Sequence, residues 1–540
     1  MPVPAAVEKP RYRVKAPSIR NQADPTAPAT IGGTPRQTGF DAARYARRLA
    51  PWRPATVTSN VIMSWQGDML RARARDVLRN NPHATAASEN FVGNLIGAGI
   101  KPSSLITNEG QRDAVMTAWL DWTDECDADG LADFYGLQSM AARSLFEAGE
   151  CFIRFRARRV EDGLSVPLQI QMLESEMLPY WDNRIAPNGN YVMNGVEFDF
   201  IGRRVAYWFF VNHPGDGPIE MGGINTDQVR VPADQVLHIF RATRPGQVRG
   251  VPLVTPALVK LYFLDQYDDA ELDRKKLAAM YAGFITTPAP EDILPDVQPS
   301  ETSDQVGIAP LEPGTMQALL PGEDIKFSEP ADVGGTYEAF QYRNQLACFS
   351  AMGVPYMLGT GDTRRASYSS LRGVIVEYRR RLEQLQHNVM VFQMCRPIWL
   401  RWMNDAVLAG TIALPGYGDN PIAYQRAKWI APRFEWVDPL KDRQAEKLAV
   451  DSGFKSRSDV IEAEGYDPEE TDERIAADKE REKKLGLDFP IHGASSTQPV
   501  DPNADPAAPD PQEVADETAD EADDNQSRSI GVRPCADGSR

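Results

Sequence analysis

The sequence is poor in the residues that hold metals, and it lacks the motifs that bind nucleotides. Only five cysteines occur in 540 residues (Cys126, Cys151, Cys348, Cys395 and Cys535), and no two form a CxxC pair. That argues against a disulfide framework and against a zinc site, and it favours a reducing compartment. The five histidines, at 83, 213, 238, 387 and 492, are too dispersed to suggest a ligand set. His238 in "VLHIF" reads as a satisfied core or strand residue, and His387 as a packing or surface residue. No GxxxxGKS/T phosphate loop, HExxH or GxSxG is present. The longest apolar run, Val205–Asn212, is strand-sized and falls far short of the ~18 residues a membrane span needs. The opening "MPVPAAVEKPRYRVK" lacks the apolar centre of a secretory signal.

Two glycine-rich stretches need weighing. In "NFVGNLIGAGIKP", Gly93, Gly97 and Gly99 end a helix instead of starting one. A phosphate site needs free N–H groups at a helix N-terminus. Gly97 and Gly99 therefore read as left-handed C-terminal caps, and Gly93 as a site of close helix packing. "GTGDTR" (Gly359–Arg364) has arginine where a third glycine is required, and it follows a Pro-containing loop rather than a strand. It reads as an interhelical loop, with a solvated turn as the plainer alternative. The carboxylates of Asp121–Asp129 and Tyr267–Asp273 lack the glycine and spacing of a calcium loop. They read as solvated acidic faces.

Charge is unevenly distributed. Residues 1–60 carry ten Lys/Arg against three Asp/Glu, and residues 501–540 carry three Arg against eleven acids. Since the whole chain stands at −18, the body between them is itself acidic. Such a body is a poor partner for the DNA backbone, whose affinity comes from Lys/Arg neutralising phosphates. It suits a surface that DNA passes without sticking. The first 60 residues read as a basic arm with one short helix at Asp41–Ala50, or as plain disorder. The acidic end from residue 491 reads as disordered.

Between the tails, periodicity outlines the elements. Helices are expected from Asp68, interrupted at Pro82, and running on to about Leu95. Leu70, Ala74, Val77 and Leu78 share one face of the first, with its arginines elsewhere. Further helices cover "RDAVMTAWLDWTDEC" and Leu137–Glu150. Strands follow at "CFIRFRAR", "PLQIQML" and "QVLHIF", with a hairpin turning near Gly202. Thr255–Phe284 and Thr336–Gly353 read as helices, and Val354–Ser367 as a loop. Leu371, Ile375, Tyr378, Leu382, Leu385, Val389, Phe392, Trp399, Met403 and Ala406 repeat every three or four residues, broken only at position 396. They predict one helix of roughly 40 residues, about 60 Å long, kinked at Pro397, or else two helices broken there. A charged helical region spans Val437–Leu487, where Asp467 caps a helix that begins at Pro468. The fold class is α+β, mainly α.

Four segments together resemble the phage portal proteins of the lambda-like family: Arg71–Pro102, Phe146–Arg156, Val231–Leu258 and Ala351–Arg380. The likeness runs from about residue 40 to 490 and says little about the tails. It implies a subunit with wing, stem, clip and crown, assembling into a ring, typically of twelve, at one capsid vertex. On that plan residues 61–254 are wing, 255–284 and 336–353 the stem helices, 285–335 the clip, 354–367 the tunnel loop, 368–436 the long wing helix and its sequel, and 437–490 the crown. The implied partners are double-stranded DNA passing through the channel, the large terminase subunit, the major capsid protein and head-completion or connector proteins, with no membrane. The implied location is the virion, after assembly in the host cytoplasm. Thr360, Gly361, Asp362, Thr363, Arg364 and Arg365 would face DNA from the tunnel loop. No catalytic residue, metal or cofactor is called for. The rival readings are a capsid scaffold or adaptor without a channel, and a nucleic-acid packaging enzyme.

Overall fold

The computed structural model describes residues 51, 53–216, 227–279, 283–286, 324–327, 337–432 and 439–487. The short helix expected at Asp41–Ala50 and the acidic tail lie outside the described residues, as does most of the segment assigned to the clip.

The chain opens with α1 (Ser59–Asn80) and α2 (Pro82–Leu95). Asn81 separates them. Its side chain accepts from the Ala84 N–H, and Pro82 takes the first helical position, where a missing donor costs nothing. α2 ends as the glycines require, with Gly97 and Gly99 both at positive φ (+50° and +102°). Gly93 is different from expectation: no atom lies within 4 Å of where its Cβ would stand, so it is not a close-packing site. β1 (Lys101–Ser104), α3 (Glu109–Glu125) and α4 (Phe134–Glu147) follow. Asn108 and Asp133 cap the two helices. α4 stops before Glu150, which instead begins a strand.

The β-rich part holds two antiparallel sheets. In the smaller, β2 (Glu150–Ala157) lies between β3 (Leu168–Leu173) and a later strand, β9. The larger runs in sequence order through β4 (Arg184–Ile185), β5 (Tyr191–Met193), β6 (Val196–Phe198), β7 (Arg204–Phe210) and β8 (Gln228–Pro232). The β6–β7 connection is the hairpin expected at Gly202. β9 (Val236–Phe240) returns to the smaller sheet and sets His238 opposite Phe152.

A 3-10 turn at Thr255–Ala257 leads into α5 (Leu258–Ala279), which is shorter than expected. Phe284 is not in this helix but in β10 (Gly283–Thr286), paired with β11 (Asp324–Phe327). α6 (Tyr337–Met352) runs back antiparallel to α5: Asp268 of α5 accepts from Tyr337 and Gln341, while Leu258, Leu261 and Phe349 meet in the core. Next come α7 (Tyr356–Thr360) and α8 (Tyr368–Leu385), a π-helical stretch at Gln386–Cys395, and α9 (Arg396–Ala409). α10 (Pro421–Gln425) and β12 (Ala427–Ile430) bring the chain back to pair with β1. α11 (Pro439–Asp451), α12 (Arg457–Ala463) and α13 (Pro468–Leu485) complete the described chain, with Asp467 capping α13 as expected.

The break expected as the alternative at Pro397 is absent, and a π-helical stretch precedes it. The helix is continuous through Pro397, and its irregularity lies in the ten residues before it. The Arg396 N–H bonds to the Val391 carbonyl, five residues back. In that wider register Val389, Met390, Met394 and Cys395 are all buried. Phe392, placed in the core by a period of 3.6, is 63% exposed. Two glutamines of the stretch are spent on neighbours. Gln386 Nε2 donates to the Leu95 carbonyl at the end of α2 (2.8 Å), and Gln393 Oε1 accepts from the Phe240 N–H (2.9 Å).

The main core joins these elements around Trp119 and Trp122 of α3, Phe134 of α4, and Trp399 and Trp402 of α9. Trp119 lies 4.9–5.2 Å, centroid to centroid, from the other four rings. A buried charge cluster ties the two sheets to α1. Glu150 Oε1 accepts from Arg249 Nε (2.8 Å), Ser175 Oγ (2.7 Å) and Tyr180 OH (3.1 Å), and Oε2 accepts from the Gly250 N–H (2.7 Å) and His238 Nε2 (2.9 Å). Burial alone would raise the Glu150 carboxyl, but the Arg249 guanidinium and the His238 hydrogen bond overcome it and hold it far below the usual range. Burial lowers His238 to about 4, only partly opposed by Glu150. Its Nδ1 faces Arg204 Nη1 (3.3 Å), a donor, which fixes the neutral tautomer with its proton on Nε2. Arg71, expected on the solvated face of α1, is instead buried. It donates to Ser175 Oγ (2.9 Å) and pairs with Asp68 (2.7 Å) and Glu176 (2.9 Å).

Candidate channel loop and the surface beneath it

The loop between α6 and α8 stands on the α5–α6 pair, and its sequence explains its shape. Pro355 opens α7, so five residues of the expected loop are helical. A Cβ at Gly359 would lie 2.0 Å from the Phe349 ring, so only glycine lets α7 rest on α6. Gly361 then ends α7 at φ +69°, and Ser367 with Ser370 forms the capping box that starts α8.

Every residue expected to project from this loop can now be placed. Thr360 is half-buried and donates its hydroxyl to the Tyr356 carbonyl (2.8 Å). Gly361 and Thr363 are exposed, and Thr363 offers its carbonyl to the Ala366 N–H. Asp362 is half-buried and forked by Arg364, at 2.9 Å from Nε and 3.0 Å from Nη2. It also accepts from the Arg364 N–H (3.1 Å) and from Tyr356 OH (3.4 Å). The Arg364 side-chain bonds pull the Asp362 carboxyl down to about 2.

The two arginines are exposed at 74% and 52%, yet neither is without a counter-ion. Glu338 of α6 reaches both, at 3.7 Å from Arg364 and 3.5 Å from Arg365. Arg365 also lies over the Tyr342 ring, 4.3 Å from its centroid. Two cations therefore meet two carboxylates, and the loop is locally charge-balanced. Glu338 and Tyr342 were missed from sequence, because nothing near them in the chain marks them as partners of the loop; Tyr356 lies within the expected loop but was not singled out. Asp268, Tyr337, Gln341, Tyr342, Tyr356 and Arg364 line a cleft of about 370 Å³ under the loop.

The expected acidic faces are less solvated than their composition implies. Asp127 is buried and accepts the N–H groups of Asp129, Leu131 and Ala132. α5 carries five carboxylates and four cations. Glu271 pairs with Arg274 and Asp273 with Lys276. The negative charge of the body is thus not concentrated on this helix.

One cluster of ligand-type atoms was not visible from spacing. Glu174, Glu176 and His213 approach within 4.8 Å of one another. Arg75 occupies both carboxylates, at 3.2 Å from Glu174 and 2.9 Å from Glu176, and its guanidinium opposes a cation there. Among the described residues, no helix is long and apolar enough to cross a membrane.

Comparison with known proteins places the chain. The probable portal protein of Halomonas phage phiHAP-1 is 28% identical over 496 residues, covering 88% of this chain and 93% of that protein. Portal protein B of Escherichia phage lambda is 20% identical over 492 residues, covering 84% and 91%. Among solved structures, a chain from the neck of an empty gene transfer agent particle aligns at 14% identity and a TM-score of 0.43, covering 77% of this chain and 96% of that one. A family model described as phage portal protein, lambda family, matches residues 45–386, more than half of the sequence, and the chain therefore belongs to the lambda family of phage portal proteins.

Proposed function

We propose that this chain is the subunit of a homo-oligomeric ring, of twelve copies, that forms a DNA channel at one capsid vertex. Double-stranded DNA is packaged and ejected through it. The ring sits among copies of the major capsid protein and offers a docking platform to the large terminase subunit, then to head-completion or connector proteins. The chain acts as a conduit, not an enzyme. One observation carries the reading: in a chain of the portal family, the antiparallel pair α5/α6 leads at one end to the paired strands β10/β11 and at the other to the 354–367 loop. On this reading α5 and α6 are stem, the strands belong to the clip, α8 to α9 is the long wing helix, and α11 to α13 form the crown.

The charge balance of the loop fits this role. Arg364 and Arg365 keep their charge at the surface, while Asp362 and Glu338 offset it. Phosphates passing within the ~8–10 Å reach of screened charge would meet weak, reversible attraction instead of a tight clamp. Replacing Arg364 and Arg365 together with alanine is expected to change DNA packaging or retention in rings that still assemble; unchanged packaging would remove the loop from the mechanism. Electron micrographs of the purified protein test the larger claim. Rings with a central hole support it, and open or featureless assemblies favour a scaffold or adaptor instead. Nucleotide hydrolysis by the purified chain would favour a packaging enzyme.

A further inference from the structure

Helix α1 is apolar on two faces, and only one of them is covered. Met63, Gly67, Arg71, Ala74 and Leu78 face inward. On the opposite side Ile62, Trp65 and Met69 follow one another at helical spacing and are 40%, 80% and 58% exposed. Val61, beside them, is 38% exposed. A solvated helix face ordinarily carries charge, so an open stripe with a tryptophan at its centre points to a missing partner.

The chain immediately upstream has the complementary pattern. In Asp41–Ala50, Ala42, Tyr45, Ala46 and Leu49 recur at three- and four-residue intervals, and Arg44, Arg47 and Arg48 fall on the other side. Asp41 is a good cap for such a helix and Pro51 a good stop. Ten residues are too few for a helix to be stable alone in water, so this one needs an apolar surface. The surface is within reach. The eight residues 51–58 can extend about 26 Å, and a two- to eight-residue connection is the usual length between antiparallel helices. The path is open at its described end: residues 53–58 are exposed and lead into the Thr58 cap of α1.

We propose that residues 41–50 form an amphipathic helix that folds back antiparallel onto the outer face of α1 in the same chain, seating Leu49 near Ile62 and Tyr45 between Trp65 and Met69. The arginines then point outward, and the basic arm leaves from a fixed place on the wing.

Two measurements on the full-length chain test this, in a background where Cys535 is serine; the other four cysteines are buried. Met69→Cys is first labelled with a maleimide. Labelling is expected to be at least about tenfold slower than in the same protein carrying Tyr45→Asp and Leu49→Asp. Equal rates would overturn the proposal. Tyr45→Cys with Met69→Cys is then oxidised. A cross-link within one chain, seen as a shifted monomer under denaturing conditions, supports the assignment. Covalent multimers would transfer the contact to a second copy, and no cross-link at all would refute it.

Discussion

Replacing Arg249 with methionine probes the buried cluster most directly. Methionine keeps much of the side-chain volume but removes what is, among the described residues, the only formal cation in direct contact with Glu150. The carboxylate would keep Ser175, Tyr180, Gly250 and His238 as donors, yet it would sit fully buried without a counter-ion. Breaking a buried pair from one side costs about 3–5 kcal/mol. The Asn194 carbonyl would also lose its 2.9 Å donor.

The pH dependence separates this cause from simple packing loss. In the wild type, Glu150 is held below its unfolded value, so its contribution is present above that value and lost as pH falls through the folded one. His238, lowered to about 4, likewise stabilises the fold above about 6.5, and that contribution is lost as pH falls toward 4. Without Arg249 both groups shift upward. Burial is then unopposed at Glu150, and His238 is freed from a neighbouring positive charge. The folded variant therefore binds about one more proton than the folded wild type at mildly acidic pH. The deficit should shrink by about 1.4 kcal/mol per pH unit as pH is lowered from 7.5 toward 5.5. Urea unfolding followed by circular dichroism at several pH values reads this directly. A deficit below about 1 kcal/mol, or one independent of pH, would refute the reasoning.

Two further outcomes are expected. If the stretch before Pro397 is π-helical, Met390→Ala should cost about 2–5 kcal/mol as a core truncation. Phe392→Ser should stay within about 0.5 kcal/mol, and thermal melts showing the reverse order would restore a regular α-helix. Gly149→Ala should cost at least about 2 kcal/mol, combining left-handed strain with a main-chain clash. Gly149 has φ +84°, and a Cβ there would lie 2.3 Å from the Val251 carbonyl carbon. An unchanged melting temperature would contradict that geometry.

Much of the fold was legible because its punctuation is local. Pro82 splits α1 from α2, Gly97 and Gly99 end α2, and Asp467 with Pro468 starts α13; each depends on residues a few positions away. The β2, β3 and β9 strands showed in their alternation, and His238 was read as a satisfied strand residue. Errors arose where local pattern met distant partners. Glu150 looked like the end of a helix until Arg249 and His238 arrived to compensate its charge. Arg71 looked solvated because no nearby residue announces Ser175 or Glu176. Phe392 was placed in the core because a period of 3.6 cannot foresee ten residues in a wider register. For the candidate loop, position and composition were readable. The opposing Glu338, 26 and 27 residues upstream of the two arginines, was not.

By itself, the sequence determined the order and type of most elements, the lack of phosphate-loop and metal motifs, and the likeness to portal proteins. These rest on side-chain size, backbone constraint and periodicity, which act within a few residues. Only the tertiary structure decided which charges are buried and neutralised, which face of the long helix is inside, and how far the loop arginines are balanced. Those outcomes depend on desolvation and on which groups distant segments bring within hydrogen-bonding reach, and short-range patterns carry no record of that.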